Sequence, residues 1–165
     1  MEDSAMDYHH LLPPSSVLVP LRAETKQEAF DELFAGISML RTLDRIHGLK
    51  EAVLRRELEG NTGIGHGVAM AHGKLQSLTD IFLCLGISMH GIEYGSYDGE
   101  PVRLLFVAAN PPSMQGVYLH MLAVLSRYLH LAAFRERIIN SEGHIARVLL
   151  HGALDTIGSG YAISA

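Results

Sequence analysis

The sequence predicts an α/β fold: a single domain built as three α/β/α layers around a central mixed β-sheet. Short apolar runs, such as Ile81-Phe82-Leu83-Cys84-Leu85 and, within residues 102–108, Leu104-Leu105-Phe106-Val107-Ala108, have the length of buried strands. Longer stretches between them carry apolar residues at helical spacing. The two kinds interleave along the whole chain, with no internal repeat and no linker. A chain of 165 residues suits one domain with a proper core, and 48% hydrophobic content excludes disorder.

The elements follow in order. Residues 1–10 read as an N-terminal arm, and residues 16–21 as the first strand. Thr25-Lys26-Gln27-Glu28 fits a capping box, opening a helix with Phe30, Leu33, Phe34, Ile37 and Leu40 on one stripe. A second helix is expected over 44–58, with Ile46, Leu49, Val53 and Leu54 inward. Strands are expected over 68–71, 80–86 and 102–108. Asn110-Pro111-Pro112-Ser113 then breaks the chain before a third helix striped by Tyr118, Leu122, Leu125 and Leu129. Helical pieces over 132–139 and 142–154 close the domain at about residue 155. Residues 156–165 read as a tail, frayed around Ile157-Gly158-Ser159-Gly160.

Chemistry is declared in one place, the run TGIGHGVAMAHGK over residues 62–74. Gly63, Gly65 and Gly67 precede the short alternation Val68-Ala69-Met70-Ala71, and His72 follows against Gly73. A strand there would present His72 at its end, with Gly73 leaving one edge of the imidazole open, as a nucleophile requires. Glycine spacing alone equally describes a turn that leads into a buried strand with an incidental histidine.

The flanking residues extend the pattern. The stretch RELEGNTGIGHGVAMAHGK, from Arg56 to the glycine turn and His72, resembles the active-site segment of the fructose/mannitol-type enzyme IIA proteins of the bacterial phosphotransferase system and their nitrogen-regulatory relatives. That family's pattern is Arg-Glu, a short linker, Thr-Gly-Ile-Gly-x-Gly, an apolar stretch, proline and the phosphorylated histidine. Here Ala71 stands in place of the proline, and His66 occupies the variable position. Ala23 to Ala29, Gly91-Ile92-Glu93-Tyr94 with Asp98 to Val102, and His120-Met121-Leu122-Ala123-Val124-Leu125-Ser126 resemble the family's first helix start, central hairpin and later His-Leu-x-x-Leu-Ala segment. Residues 11–155 are thereby identified as an enzyme IIA type-2-like domain.

The resemblance implies a phosphohistidine carrier, with His72 taking a phosphoryl group on Nε2 from a histidine phosphocarrier protein. It passes that group to an enzyme IIB-type acceptor or uses it as a regulatory signal toward another protein. Arg56 would offer its planar donor fork to the phosphoryl oxygens and Thr62 a hydroxyl; the glycine amides would form an anion-binding concavity. His120, by resemblance, would sit beside His72 as a catalytic residue, hydrogen-bonding either the phosphoryl oxygens or the His72 ring; by residue pattern alone it reads as a solvated histidine. No cofactor and no metal is expected. A zinc site from His66, His72 and His120 would lack a carboxylate or thiolate at ligand spacing, and Arg56 would repel the cation.

Composition narrows the remaining classes. A net charge of −5 with no clustered Lys and Arg argues against a nucleic-acid surface. No apolar run is long enough to span a bilayer, and the acidic start Met1-Glu2-Asp3-Ser4 lacks the form of a secretory signal. Any membrane contact is therefore expected only indirectly, through a permease partner. Cys84 is the single cysteine and reads as a buried thiol, consistent with a cytoplasmic protein. No permease or second carrier domain accompanies the domain in this chain, which keeps a regulatory protein-binding module open beside the sugar-transport reading.

Overall fold

Strand β5 (Val102–Asn110) occupies the centre of a five-stranded sheet and is buried along nearly its whole length. The computed structural model describes residues 8–159. In chain order the other strands are β1 (Val17–Leu18), β2 (Gly63–Gly65), β3 (Val68–Lys74) and β4 (Phe82–Ile92). The sheet order is β1-β4-β5-β3-β2: β1 is parallel to β4 and β3 to β5, while β4–β5 and β2–β3 are antiparallel. Helices α1 (Lys26–Gly36), α2 (Ser38–His47) and α3 (Leu49–Glu59) supply one core with Phe30, Leu33, Leu40 and Val53. Helices α4 (Gln115–His130), α5 (Ala132–Ile139) and α6 (Gly143–Ser159) supply the other, with Tyr118, Leu125, Ile138 and Leu150. The expected three-layer α/β/α domain with a mixed sheet is therefore what the chain forms. Among the described residues no single helix is long and apolar enough to cross a membrane.

Local chemistry explains where the elements begin and end. Thr25 caps α1 through its side chain, and the Glu28 carboxylate returns to the amides of Glu24 and Thr25, completing the expected capping box. The helices that follow differ from the expected pair. The first stripe was expected to run on to Leu40, but the chain leaves helical geometry at Ile37, which caps α1 in extended conformation. The expected helix over 44–58 is cut at Gly48, whose left-handed φ of 70° ends α2 while its amide bonds the Asp44 carbonyl at 2.8 Å. This cut leaves Ile46 outside, 61% exposed, whereas Leu49 and Val53 turn inward on α3. Apolar periodicity alone does not register a change of helix axis.

Strand lengths differ as well. The first strand shrinks to Val17–Leu18, because Pro20 follows closely and has no amide to give a ladder. Strand β4 continues beyond the expected Gly86 to Ile92, with an irregular register against β5 after Ile87. Its far end holds exposed Met89 and His90, so the apolar signal stops before the pairing does. Of the expected N-terminal arm, residues 1–7 lie outside the described residues; Tyr8–Leu11 forms a 3-10 turn, and Leu11 and Leu12 are buried. The expected tail begins inside α6, which runs to Ser159, and residues 160–165 lie outside the described residues.

Strand β3 carries the motif and divides it between the two faces. Val68 and Met70 enter the core under α4 and α6, while Ala69 and Ala71 enter the core under α3. With a period of two, His72 continues the first set and Gly73 the second. A Cβ on Gly73 would lie 3.0 Å from Leu49 Cδ1 and 3.2 Å from both Ala52 Cβ and Val53 Cγ2. The glycine therefore lets α3 lie directly on the strand, which differs from the expected role of clearing one edge of the imidazole. Gly73→Ala should push α3 outward and cost about 1–3 kcal/mol, as overpacking typically does. Urea unfolding of parent and variant checks this, with an unchanged midpoint as the contrary result.

Candidate active site at the end of β3

His72 lies near the carboxyl end of β3, half-buried in a cleft of about 450 Å³. Helix α3 lines it with Ala52, Arg55, Arg56 and Glu59, β3 adds Lys74, and Gln115 comes from the first turn of α4. His72 Nδ1 is 3.3 Å from the Met70 carbonyl oxygen. A carbonyl only accepts, so this contact assigns the proton to Nδ1 and leaves the lone pair on Nε2. Burial lowers the His72 pKa below the ordinary imidazole value, the Met70 hydrogen bond opposes this, and the cations Arg56 and Lys74 reinforce it against Glu57. The ring is thus held neutral, in one tautomer, beside positive charge.

Arg56 reaches the cleft from the last turn of α3. One guanidinium N–H donates to the Gly60 carbonyl at 3.0 Å, which fixes the side chain while leaving other donors of the fork for an anion. Sequence reasoning paired Arg56 with His72, and the fold brings them to the same cleft.

Thr62 has a different place from the one expected. It is buried, and its hydroxyl donates to the Glu57 carboxylate while the Tyr94 hydroxyl, 2.9 Å away, donates to it. The Thr62 amide also bonds Glu57 at 3.0 Å, and Lys26 Nζ meets the same carboxylate at 2.9 Å. Burial would raise the Glu57 pKa, but the hydrogen bonds from Thr62 and the Lys26 ammonium outweigh it and hold the carboxyl low. The Thr62 hydroxyl is therefore committed to structure. Its carbonyl accepts the Met70 amide at 3.0 Å, so Glu57 is linked through Thr62 and Met70 to the His72 ring.

The glycines likewise serve the fold. The Gly63 amide is taken by Asn61 Oδ1, and a Cβ there would lie 2.3 Å from Ser96 Oγ. Gly65 has a φ of 87°, where a Cβ would come within 2.8 Å of the Tyr97 hydroxyl. The His66 amide bonds Asp98 Oδ2 at 2.9 Å, and the His66 ring lies edge-on to His130. None of these residues lines the cleft, so the expected amide concavity is instead a hairpin packed against the β4–β5 connection. The described residues contain no group of three or more His, Cys, Asp or Glu side chains able to hold a metal ion. Cys84 is buried, which pushes its thiol far above the ordinary range.

His120 is exposed on α4 and does not line the cleft. The α4 side chain facing His72 is Tyr118, whose ring centroid lies 5.3 Å from that of the imidazole. Two helical residues turn about 200°, so His120 projects on the opposite side from Tyr118.

Residues 10–151 match the family described as phosphoenolpyruvate-dependent sugar phosphotransferase system, EIIA 2. The chain belongs to that family. It is 29% identical over 141 residues to the fructose-specific EIIABC component of Bacillus subtilis, covering 86% of this chain but 22% of that much longer protein. It is 35% identical over 119 residues to a nitrogen regulatory protein of Bradyrhizobium diazoefficiens, covering 72% of this chain and 77% of the relative. The crystal structure of the nitrogen regulatory protein IIA-Ntr from Neisseria meningitidis superposes with a TM-score of 0.76 at 26% identity, over 86% of this chain and 97% of that one.

Two positions in the EIIA pattern are clarified by this geometry. Counted back from Leu122-Ala123, the segment His-Leu-x-x-Leu-Ala falls on Tyr118-Leu119-His120-Met121-Leu122-Ala123. Tyr118, not His120, thus stands at the histidine position, and both the pattern's spacing and the helical stripe already contained that signal. Ala71 stands at the proline position. Because the Met70 amide points to β2 and backbone groups alternate, the Ala71 amide points to β5, where Ala71 registers with Val107. Missed by sequence reasoning were Lys74, Gln115 and the structural carboxylate Glu57.

Thr62→Val should remove the hydroxyl that joins Tyr94 to the Glu57 carboxylate, leaving Glu57 with the backbone amide and Lys26, and destabilise the fold by about 1–3 kcal/mol. His120→Ala should change stability by no more than about 0.5 kcal/mol, as for an exposed side chain without special contacts. Paired denaturation curves check both, and equal effects of the two variants would contradict the assignment.

Proposed function

We propose that the chain is a phosphohistidine carrier, with His72 Nε2 as the acceptor atom. The observation that carries this reading is the Nδ1 contact to the Met70 carbonyl, which leaves the Nε2 lone pair for a cleft bordered by Arg56 and Lys74. The donor is a histidine phosphocarrier protein. Its N–P bond breaks as the His72 N–P bond forms; the bonding pair stays on the donor nitrogen, whose ring, keeping its own N–H, leaves as a neutral imidazole. The His72 Nδ1 proton remains in place, so the phosphorylated ring carries positive charge and its N–P bond stays labile toward the next acceptor. Phosphoryl transfer has a loose transition state with charge on its oxygens, so positioning and electrostatics dominate. Arg56 and Lys74 supply that charge, and no cofactor is required.

The acceptor is either an enzyme IIB-type protein or a regulated protein in the cytoplasm. The similarity to nitrogen regulatory proteins, over most of their length, favours the regulatory output beside sugar transport. Incubation with the general phosphotransferase proteins and phosphoenolpyruvate, read by intact mass, tests the reading. One acid-labile, base-stable phosphoryl group should appear, and His72→Ala should abolish it while remaining folded. Arg56→Ala should slow transfer by about 10²–10³-fold, the typical effect of removing a charge-stabilising donor, with little change in melting temperature.

The depressed pKa of His72 also sets a pH dependence. The transfer rate should hold as pH falls through about 6.5, the free imidazole value, and decline only below it. Stability should rise with pH between the lowered folded value and about 6.5, because there the unfolded chain binds a proton that the folded chain refuses. Rate and stability profiles from pH 5 to 8 check both. An acid limb above the free imidazole value would contradict a buried neutral ring.

A further inference from the structure

Glu59 is out of place by two electrostatic rules. It ends α3, where the helix dipole presents its negative pole and disfavours a carboxylate. It also lines the His72 cleft beside Arg55, Arg56 and Lys74, where it opposes the anion that those cations attract. The neighbouring cations of its own helix do not neutralise it. Arg55 has a carboxylate four residues away on either side, and it pairs with Glu51, at 2.6 Å. Arg56, three residues before Glu59, donates to the Gly60 carbonyl. Glu59 is exposed, and among the described residues no hydrogen bond or ion pair reaches its carboxylate. An unneutralised acid at the rim of a cationic cleft is a local inconsistency of the kind that functional sites carry.

We propose that Glu59 is a specificity-determining residue: it disfavours diffusible anions in the cleft and favours delivery of the phosphoryl group by a protein that brings a cationic side chain with it. The inference rests on the phosphohistidine reading of His72 and adds partner selection to it. Inorganic phosphate or a small phosphorylated metabolite meets the Glu59 charge without compensation. A donor protein with Lys or Arg beside its phosphorylated residue presents a cation to that carboxylate as the phosphoryl group reaches Arg56 and Lys74. Pairing is then exchanged during transfer. The donor's cation begins on the phosphoryl oxygens and ends on Glu59, while Arg56 and Lys74 receive the oxygens. No bond to Glu59 forms or breaks; the two N–P bonds break and form as described above. Complementary charge at the rim of an interface acts mainly on association and on rejection of wrong partners, which is the part assigned to Glu59.

The test compares parent, Glu59→Gln and Glu59→Asp, each phosphorylated by two routes: phosphoenolpyruvate with the general phosphotransferase proteins, and potassium phosphoramidate as a protein-free donor. Glu59→Gln removes an acid from a helix C-terminus and should melt at or above the parent temperature. With the protein donor at low salt its rate should fall by about 3–10-fold, in KM more than in kcat, as for a charge at an interface rim. With phosphoramidate its rate should rise by about 2–5-fold, because a repelling charge is gone. Both effects should fade by about 0.5 M salt, where exposed charges are screened. Glu59→Asp keeps the charge and should stay near the parent by both routes. The ratio of the protein-donor rate to the phosphoramidate rate decides. A Glu59→Gln ratio equal to or above the parent's, or a Glu59→Asp ratio as low as that of Glu59→Gln, overturns the proposal while leaving His72 as the acceptor. A parent chain that takes no phosphoryl group by either route overturns the phosphohistidine reading, and this inference with it.

Discussion

The carboxylate of Glu57, with 6% of its side chain exposed, receives the Thr62 amide and hydroxyl together with the Lys26 ammonium. These contacts join the last turn of α3 to the entry of the β2–β3 hairpin nearby in sequence, and both to the start of α1, 31 residues before Glu57. A buried charge is tolerable only when it is fully paired, so the arrangement is close to all-or-none. Thr62, once fixed, sets the register of Met70, and Met70 sets the proton on His72. The ion pair in the layer behind the cleft is thereby linked, through Thr62 and Met70, to the carbonyl that holds the His72 proton.

The second constraint is the two-residue period of β3. Successive side chains face opposite layers, so one strand delivers His72 to the α4 side while Gly73 admits α3 on the other. The close approach of α3 carries Arg56 to the strand end. Strands β3 and β5 are parallel, so their carboxyl ends share an edge of the sheet, and α4 begins just beyond β5. A cleft outside the carboxyl ends of parallel strands is the usual ligand site of an open α/β sheet. Here it is furnished with cations from α3 and β3 and an amide side chain from α4.

Electrostatics and burial act together on the histidine. Desolvation and the nearby cations Arg56 and Lys74 both disfavour imidazolium, which keeps the His72 ring neutral beside positive charge. None of the hairpin glycines lines the cleft; Gly63 and Gly65 instead lie close against Ser96 and Tyr97 of the β4–β5 connection.

The sequence by itself determined the layer architecture, the capping box at Thr25, the strand bearing the motif, and the pairing of Arg56 with His72. Each is written in local periodicity or in a contiguous pattern. It did not determine the break at Gly48, the length of β4 or the exposure of Ile46, because apolar spacing records burial and not a change of axis or partner. Only the tertiary structure decided which polar groups reach the cleft. Thr62 and the glycines lie within the motif, yet their hydrogen-bonding groups point into a network with Glu57, Tyr94 and Asn61. His120 and Tyr118 are two residues apart, yet the helix turns one to solvent and the other onto His72. Proximity in sequence selects candidates; the direction of each donor is fixed only when strands and helices from distant parts of the chain have packed.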